Sequence, residues 1–253
     1  MRFGAVLALA ALAALQPAAG ARAGSALIGV AANFAETATA LERVFEAASG
    51  NDLNITAGST GRLYAQITNG APFDILLAAD QVRPELLEIG GFAVAGSRFT
   101  YAVGHLSLWS PDAGLIGEDG AALLAAGGFR FLAIANPDLA PYGLAARQAL
   151  QALGLWDALG ERIVMGQNVA QVFSMVATGN AELGLIAKSY ALSPRNGTPG
   201  SRWDVPPDLY DPIRQDAVLL SAGAANPAAI AFLEFLRTDA ARDVIETFGY
   251  GVD

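Results

Sequence analysis

The sequence contains four turns that combine small residues with neutral hydrogen-bond donors. They are Ala32-Asn33, Ser59-Thr60 within Gly-Ser-Thr-Gly, Tyr142 within Ala-Pro-Tyr-Gly, and Asn168-Val169. Each turn precedes a segment with helical periodicity, so the first backbone N–H groups of that helix lack partners and carry partial positive charge. Helix N-termini with hydroxyls beside them are typical anion sites. Together the four turns predict a site that holds a small oxyanion without Lys or Arg.

Each turn also has a structural interpretation, and the residues alone leave both open. Asn33, with Glu36 three residues later, matches the pattern of a capping box, whose side chains bond to backbone N–H groups. Ser59 and Thr60 suit an ordinary capped turn, and Asn168 is the expected N-cap of the helix that follows it. The ring of Tyr142 suits burial against a neighbouring strand.

Outside these turns, the sequence shows no clear pattern for catalysis or metal binding. The chain has no Cys and a single His, which disfavours a zinc or copper site and covalent catalysis. His105 lies in an apolar-flanked segment, and we expect it to be structural. The sequence has no Walker phosphate loop, dinucleotide fingerprint or Gly-x-Ser-x-Gly elbow. An exported enzyme would need an acid or base in a cleft, and Asp80 is the candidate for that role.

The charge balance limits the partners. The 253 residues carry a formal net charge of −9, with 15% charged and 53% hydrophobic residues. Such acidity disfavours nucleic acid and anionic membranes as partners. A bound anion must then be held by local dipoles and hydrogen-bond donors, and we expect Arg62, which follows the second turn, to be solvated.

The first 23 residues have the layout of a secretory signal peptide. Met1-Arg2 precedes an apolar run at 5–15, and a small-residue stretch ends in Ala21-Arg22-Ala23. The apolar run is too short for a comfortable membrane span. We expect cleavage near Ala23 and export of the remainder; the alternative is a retained N-terminal anchor. An exported chain without Cys must be stabilised by its core alone.

Strand and helix patterns alternate along the rest of the chain. We expect strands at 25–31, 53–56, 74–79, 129–135, 162–165, 183–187 and 217–220, and helices at 36–48, 63–67, 84–89, 143–153, 169–178 and twice within 227–248. This alternation predicts an α/β fold with mainly parallel sheets.

Two stretches interrupt the alternation and predict two lobes. Segment 99–109 is long for one strand, and 193–211 is a loop rich in Pro, Arg, Asn, Gly and Asp. We assign 24–100 and 205–253 to lobe 1 and 101–204 to lobe 2, with crossovers near 99–109 and 193–216. Ligands of open α/β sheets bind outside the carboxyl ends of the strands, so the four turns should face a cleft between the lobes.

Five stretches carry a specific family pattern. They read AANFAETATALERVFEAASG, GSTGRLYAQITNGAPFDILLAADQVRPELL, ANPDLAPYGLAARQALQALGLW, GQNVAQVFSMVATGNAELGLIAKS and AFLEFLRTDAARDVIETFGYG. With them, essentially the whole mature chain resembles the periplasmic molybdate-binding proteins of bacterial ABC importers. The resemblance implies a two-lobe periplasmic-binding-protein fold of type II and a monomer in the periplasm.

The resemblance also implies which residues hold the anion. The matching positions are Ala32, Asn33, Ser59, Thr60 and the Ala79 amide in the first lobe, and Tyr142 and the Val169 amide in the second. Asn33, Thr60, Tyr142 and Val169 would surround the metal through the oxygens of molybdate only, without a direct bond to it. Some family members place a Tyr where this chain has Ala187, and the Tyr of Ala-Pro-Tyr-Gly is expected to replace it here.

The function that the resemblance implies is capture of molybdate, or of tungstate, and delivery to an ABC permease, with no cofactor and no reaction. A shell of donors rejects protonated phosphate, because its O–H would find no acceptor. Rejection of sulfate has to come from the size of the cavity. The alternatives are a binding protein for sulfate or a small organic anion and, less favoured, an exported enzyme on the same fold.

Overall fold

The structure is a computed structural model that describes residues 24–193 and 196–252. Within these residues the chain forms two five-stranded sheets with helices packed against them. The segment 1–23, predicted to be a signal peptide, lies outside the described residues. In the described part, no helix has the length and apolar character that crossing a membrane requires.

The first sheet contains strands from both ends of the chain. Its members are β1 (Ser25–Ala31), β2 (Asp52–Gly58), β3 (Ile75–Leu77), β4 (Phe99–Gly104) and β10 (Ile213–Leu219). Their order is β2-β1-β3-β10-β4. β1 pairs in parallel with β2 and β3, while β10 is antiparallel to β3 and β4, so four of the five strands run in one direction.

The second sheet repeats this plan. It contains β5 (Leu106–Ser110), β6 (Leu132–Ala135), β7 (Ile163–Gly166), β8 (Leu183–Ala187) and β9 (Ser201–Asp204), in the order β7-β6-β8-β5-β9. Here β5 is the reversed strand, antiparallel to β8 and β9. The prediction of an α/β fold with mainly parallel sheets is confirmed.

Helices cover both sheets. They are α1 (Ala35–Ser49), α2 (Thr60–Thr68), α3 (Val82–Ile89), α4 (Gly120–Ala126), α5 (Pro141–Ala152), α6 (Val169–Ala177), α7 (Lys188–Leu192), α8 (Pro227–Phe235) and α9 (Asp239–Thr247). A short 3-10 helix, Ala32–Phe34, joins β1 to α1. α1 ends where Gly50 adopts a left-handed backbone with φ of 71°, a conformation that costs glycine little.

Each sheet has its own core. On one face of the first sheet, α1 and α8 meet through the rings of Phe45 and Phe232, whose centroids are 5.2 Å apart. α2 and α3 cover the other face with Leu63 and Leu87. The core of the second sheet includes the fully buried Trp109. The polar turns at the carboxyl ends of the strands meet between the sheets, where Ala31 and Ala79, at strand ends of the first sheet, join the core of the second.

The structure adds elements that the sequence pattern did not predict. The stretch predicted as one loop at 193–211 contains β9, which forms because its backbone pairs with β5, far away in the chain. The short helix α4, rich in Ala and Leu, was also missed. Segment 99–109 is two strands, β4 and β5, which belong to different sheets and meet at His105. Strand β4 of the first sheet therefore extends to Gly104, beyond residue 100, where the first segment of lobe 1 was assigned to end.

Candidate functional site

A small cavity lies between the two sheets, where β1, β2, β6 and β7 end. It is lined by Ala31, Ala32, Asn33, Ser59, Thr60, Ala79, Ala140, Pro141, Tyr142, Asn168 and Val169. All seven residues singled out in the sequence are among them. No lining residue is an acid, Lys, Arg or His. The cavity volume is about 10 Å³, which on the same measure is about the space one water occupies.

The Gly-Ser-Thr-Gly turn contributes Ser59 and Thr60 to the lining of this cavity. Ser59 is the N-cap residue of α2, yet its side chain makes no capping hydrogen bond, so the interpretation as an ordinary capped turn is wrong for Ser59. Thr60 is 1% exposed, and its Oγ1 accepts a hydrogen bond of 3.0 Å from the Ala79 N–H. Because the oxygen accepts from Ala79, the hydroxyl proton of Thr60 is left to donate elsewhere.

Asn33 is held from behind rather than capping a helix. Its Nδ2 donates to Gln215 Oε1 at 2.8 Å and to the Tyr250 hydroxyl at 3.2 Å. The N-cap residue of α1 is Phe34, without a side-chain cap, and the Glu36 carboxylate instead accepts from Ser193 Oγ at 2.6 Å. The capping-box interpretation is therefore wrong, because long-range partners take both side chains.

Tyr142 stands at the second position of α5 and is 2% exposed. Among the described residues, no group forms a hydrogen bond of full geometry with its hydroxyl, although the polar side chains of Gln215 and Tyr250 lie close enough to affect it. Burial raises the pKa of this hydroxyl well above its ordinary value; neighbouring tyrosines add to the rise, and the Gln215 side chain opposes it. Tyr142 is thus a neutral, protonated donor at physiological pH.

The N-terminus of α6 completes the lining. Asn168 caps it, since Asn168 Oδ1 accepts from the Gln171 N–H at 3.0 Å, as the sequence predicted. Val169 is the first residue of the helix, and a backbone N–H at this position has no partner within a helix. α6 therefore directs a polar N–H group and the positive end of its dipole at the cavity.

The lips of the cleft are joined by direct hydrogen bonds. The Gly61 N–H donates to the Leu139 carbonyl at 2.9 Å, and Arg83 Nη2 donates to the Asp138 carbonyl at 3.0 Å. Arg62 is exposed, as predicted, and its Nη1 lies 3.4 Å from Gln167 Oε1. These contacts connect α2 and α3, on the first sheet, to the loops that follow β6 and β7 on the second.

The groups considered for catalysis or metal binding lie elsewhere. Asp80 lines a neighbouring groove, and its carboxylate accepts from the Arg83 N–H at 3.0 Å and forms an ion pair with the Arg83 guanidinium. His105 is half-buried where β4 meets β5, and burial, then nearby Lys188, lowers its pKa. No group of three or more His, Cys, Asp or Glu suited to a metal ion occurs among the described residues.

Behind the cavity lies a buried polar network that the sequence analysis missed. Gln215 Oε1 accepts from Asn33 Nδ2 and, at 3.2 Å, from the Tyr101 hydroxyl. The Tyr250 hydroxyl donates to the Asn33 carbonyl at 2.7 Å and lies 3.0 Å from Ser189 Oγ. The signal for this network is the polar Gln215, fully buried within the strand IRQDAVL.

Comparisons with known proteins agree on one family. Residues 26–251 match the model described as bacterial extracellular solute-binding protein. Molybdate-binding protein ModA of Azotobacter vinelandii is 48% identical over 232 residues, which are 92% of each chain. ModA of Rhodobacter capsulatus is 44% identical over 230 residues, 91% of this chain and 89% of that protein. The solved structure of the Azotobacter vinelandii periplasmic molybdate-binding protein matches with a TM-score of 0.87 and 41% identity, over 90% of this chain and 99% of that one.

Proposed function

The chain belongs to the bacterial extracellular solute-binding protein family, and on that basis we propose that it binds molybdate, with tungstate as an alternative ligand of the same shape. It delivers the anion to the permease of an ABC importer and catalyses no reaction. Segment 1–23 directs export to the periplasm and is cleaved near Ala23.

The observation that carries this proposal is a cavity lined only by uncharged residues, most of them buried and several of them hydrogen-bond donors. Burying a dianion is costly unless it is fully hydrogen-bonded. Charge-assisted hydrogen bonds from neutral donors, together with the dipoles of α2 and α6, supply that compensation. A basic side chain is therefore not required, which fits a protein with a net charge of −9.

Each lining donor has a role that follows from its partners. Thr60 and Ser59 donate their hydroxyl protons, and the Ala79 N–H holds Thr60 in place through the 3.0 Å hydrogen bond. Because the side-chain nitrogen of Asn33 is committed to Gln215 and Tyr250, Asn33 contributes its backbone amide. Tyr142 and the Val169 N–H close the shell from the second sheet.

The same shell selects among oxyanions. Protonated phosphate is rejected, since its O–H would be buried without an acceptor. Sulfate carries no such proton and is rejected by size, because bonds from oxygen to molybdenum or tungsten are longer than those to sulfur. A tetrahedral anion also exceeds the space of one water, so we expect the lining to open slightly around it.

Binding closes the two lobes. We propose that the lobes move as units about the chain crossings at His105 and between β9 and β10, where the two sheets are connected. Closure forms the hydrogen bond from Gly61 to Leu139 and brings Tyr142 and Val169 onto an anion first met by Thr60.

Calorimetric titration tests this function. The chain from Gly24 onward, freed of anions, is titrated in turn with molybdate, tungstate, sulfate and phosphate. We expect tight one-to-one binding of molybdate and tungstate, with no heat of binding from sulfate or phosphate. Binding of sulfate as tight as that of molybdate would assign the protein to the sulfate alternative. Silence with all four would remove the oxyanion assignment.

A further inference from the structure

Two buried polar groups beside the cavity lack partners. They are the Tyr142 hydroxyl and Gln215 Nε2, on residues that are 2% and 0% exposed. Within the described residues, only two other buried side-chain atoms, on Thr37 and Asn196, share this condition. A buried polar group without a partner costs about 1–3 kcal/mol, so two neighbouring ones call for an explanation.

The two groups meet over Gly104, the last residue of β4. A Cβ at this position would overlap the Tyr142 hydroxyl and lie 2.8 Å from Gln215 Nε2. Glycine is therefore what leaves room for both side chains. The pair is chemically complementary, because an amide NH₂ can only donate and a phenol oxygen can accept.

The orientation of the Gln215 amide is set by its other partners. Its Oε1 accepts from Asn33 Nδ2 at 2.8 Å and from the Tyr101 hydroxyl at 3.2 Å. With the oxygen directed at these donors, Nε2 is directed away from them, to the side where Tyr142 lies. Gln215 belongs to β10 of the first sheet and Tyr142 to α5 on the second, so the two approach only when the lobes are together.

We propose that Gln215 is a positioning residue for the oxyanion site: its Nε2 donates to the Tyr142 oxygen, so that the Tyr142 proton is left to donate to the anion. The inference rests on the proposed function, and it adds a residue that does not itself line the cavity. A phenol that accepts one hydrogen bond and donates another is also a stronger donor, because linked hydrogen bonds polarise one another. With the anion bound, both groups that lack partners are satisfied, which couples capture of the anion to the contact between the lobes.

A double-mutant cycle tests this role. Molybdate affinity is measured by calorimetry for the unsubstituted protein, Gln215→Met, Tyr142→Phe and the combined variant. Met keeps the length of the side chain and removes its donor. We expect Gln215→Met to weaken binding roughly 10-fold when Tyr142 is present, the scale seen for outer partners of binding groups. In the Tyr142→Phe background, the same substitution should weaken binding less than about 3-fold.

If Gln215→Met does not fold, Gln215→Glu replaces it in a second double-mutant cycle with Tyr142→Phe. Glu can still accept from Asn33 and Tyr101 and replaces only the Nε2 donor. Its negative charge repels the anion in both backgrounds, so the difference between backgrounds is the readout in this cycle.

The outcomes separate the role of Gln215 from the proposed function. Equal losses in the two backgrounds would show that Gln215 acts through the general packing of the network and would overturn the inference alone. An unchanged affinity in folded Gln215→Met protein would do the same. Silence of the unsubstituted protein with molybdate would refute the proposed function and this role together.

Discussion

Removal of the Thr60 hydroxyl should weaken molybdate binding by roughly 10- to 150-fold. Thr60 is 1% exposed and lines the cavity, and its Oγ1 already accepts from the Ala79 N–H at 3.0 Å. Its proton is then available for the dianion, and a hydrogen bond to a charged group contributes about 1.5–3 kcal/mol. Each 1.4 kcal/mol changes a dissociation constant about tenfold, which gives the stated range.

Removing the Thr60 hydroxyl also has an effect on stability, which can be measured separately from the effect on affinity. Thr60→Val preserves the shape of the side chain but leaves the Ala79 N–H without its acceptor. An unpaired buried N–H should lower the free energy of unfolding of the anion-free protein by about 1–3 kcal/mol. The cost of the unpaired Ala79 N–H applies to the free and the anion-bound protein alike. It therefore does not change the affinity, unless the anion itself accepts a hydrogen bond from the Ala79 N–H.

Calorimetry with molybdate and thermal unfolding of the anion-free protein measure the two effects on Thr60→Val. Thr60→Ser is the matched control, since it retains the hydroxyl and should bind within about threefold of the unsubstituted protein. A folded Thr60→Val protein with unchanged affinity would refute the role of Thr60. Because Val retains the methyl group and Ser retains the hydroxyl, equal losses in the two variants would show that the hydroxyl has no specific role in binding.

Four further predictions concern groups around the cavity. Tyr142→Phe should weaken molybdate binding at least about 10-fold in calorimetry. The melting temperature of the anion-free protein should stay equal or rise, because the Tyr142 hydroxyl lacks a partner there, and a large loss of stability would contradict this expectation. Gly61→Val should hinder closure, since a Cβ there would lie 2.9 Å from the Leu139 carbonyl oxygen. Small-angle scattering should find this variant open in the presence of molybdate, and normal compaction would contradict a role of the Gly61–Leu139 contact in closure. Asp80→Ala should cost about 0.5–2 kcal/mol of stability, like the loss of a helix cap, with molybdate affinity retained; lost affinity would return Asp80 to the functional site. Burial lowers the pKa of His105, so its contribution to stability is present above about pH 6.5 and is lost as pH falls through the lowered pKa. His105→Gln should therefore flatten the dependence of the melting temperature on pH. An unaltered profile would exclude His105 as the source of that dependence.

The sequence alone determined the fold class and the places where the chain could bind an anion. Both are local properties. Apolar spacing distinguishes strands from helices, so β1 and α6 were predicted close to their observed bounds. Helix starts are marked by cap residues such as Asn168, whose partner lies only three residues away. Since strands of one direction end at one edge, these turns were expected to meet, and the structure brings them around one cavity.

Only the tertiary structure decided which donors are free and which are committed. The side chain of Asn33 bonds to Gln215, 182 residues away, and this contact overrides the local capping pattern. The hydroxyl of Thr60 is oriented by Ala79, from a different strand end, and β9 exists because β5 lies beside it. A side-chain donor has several partners within reach in an unfolded chain, and no local pattern ranks them. Burial sets their ranking, because a hydrogen bond to the one partner left inside the fold is electrostatically stronger than the same bond made in water.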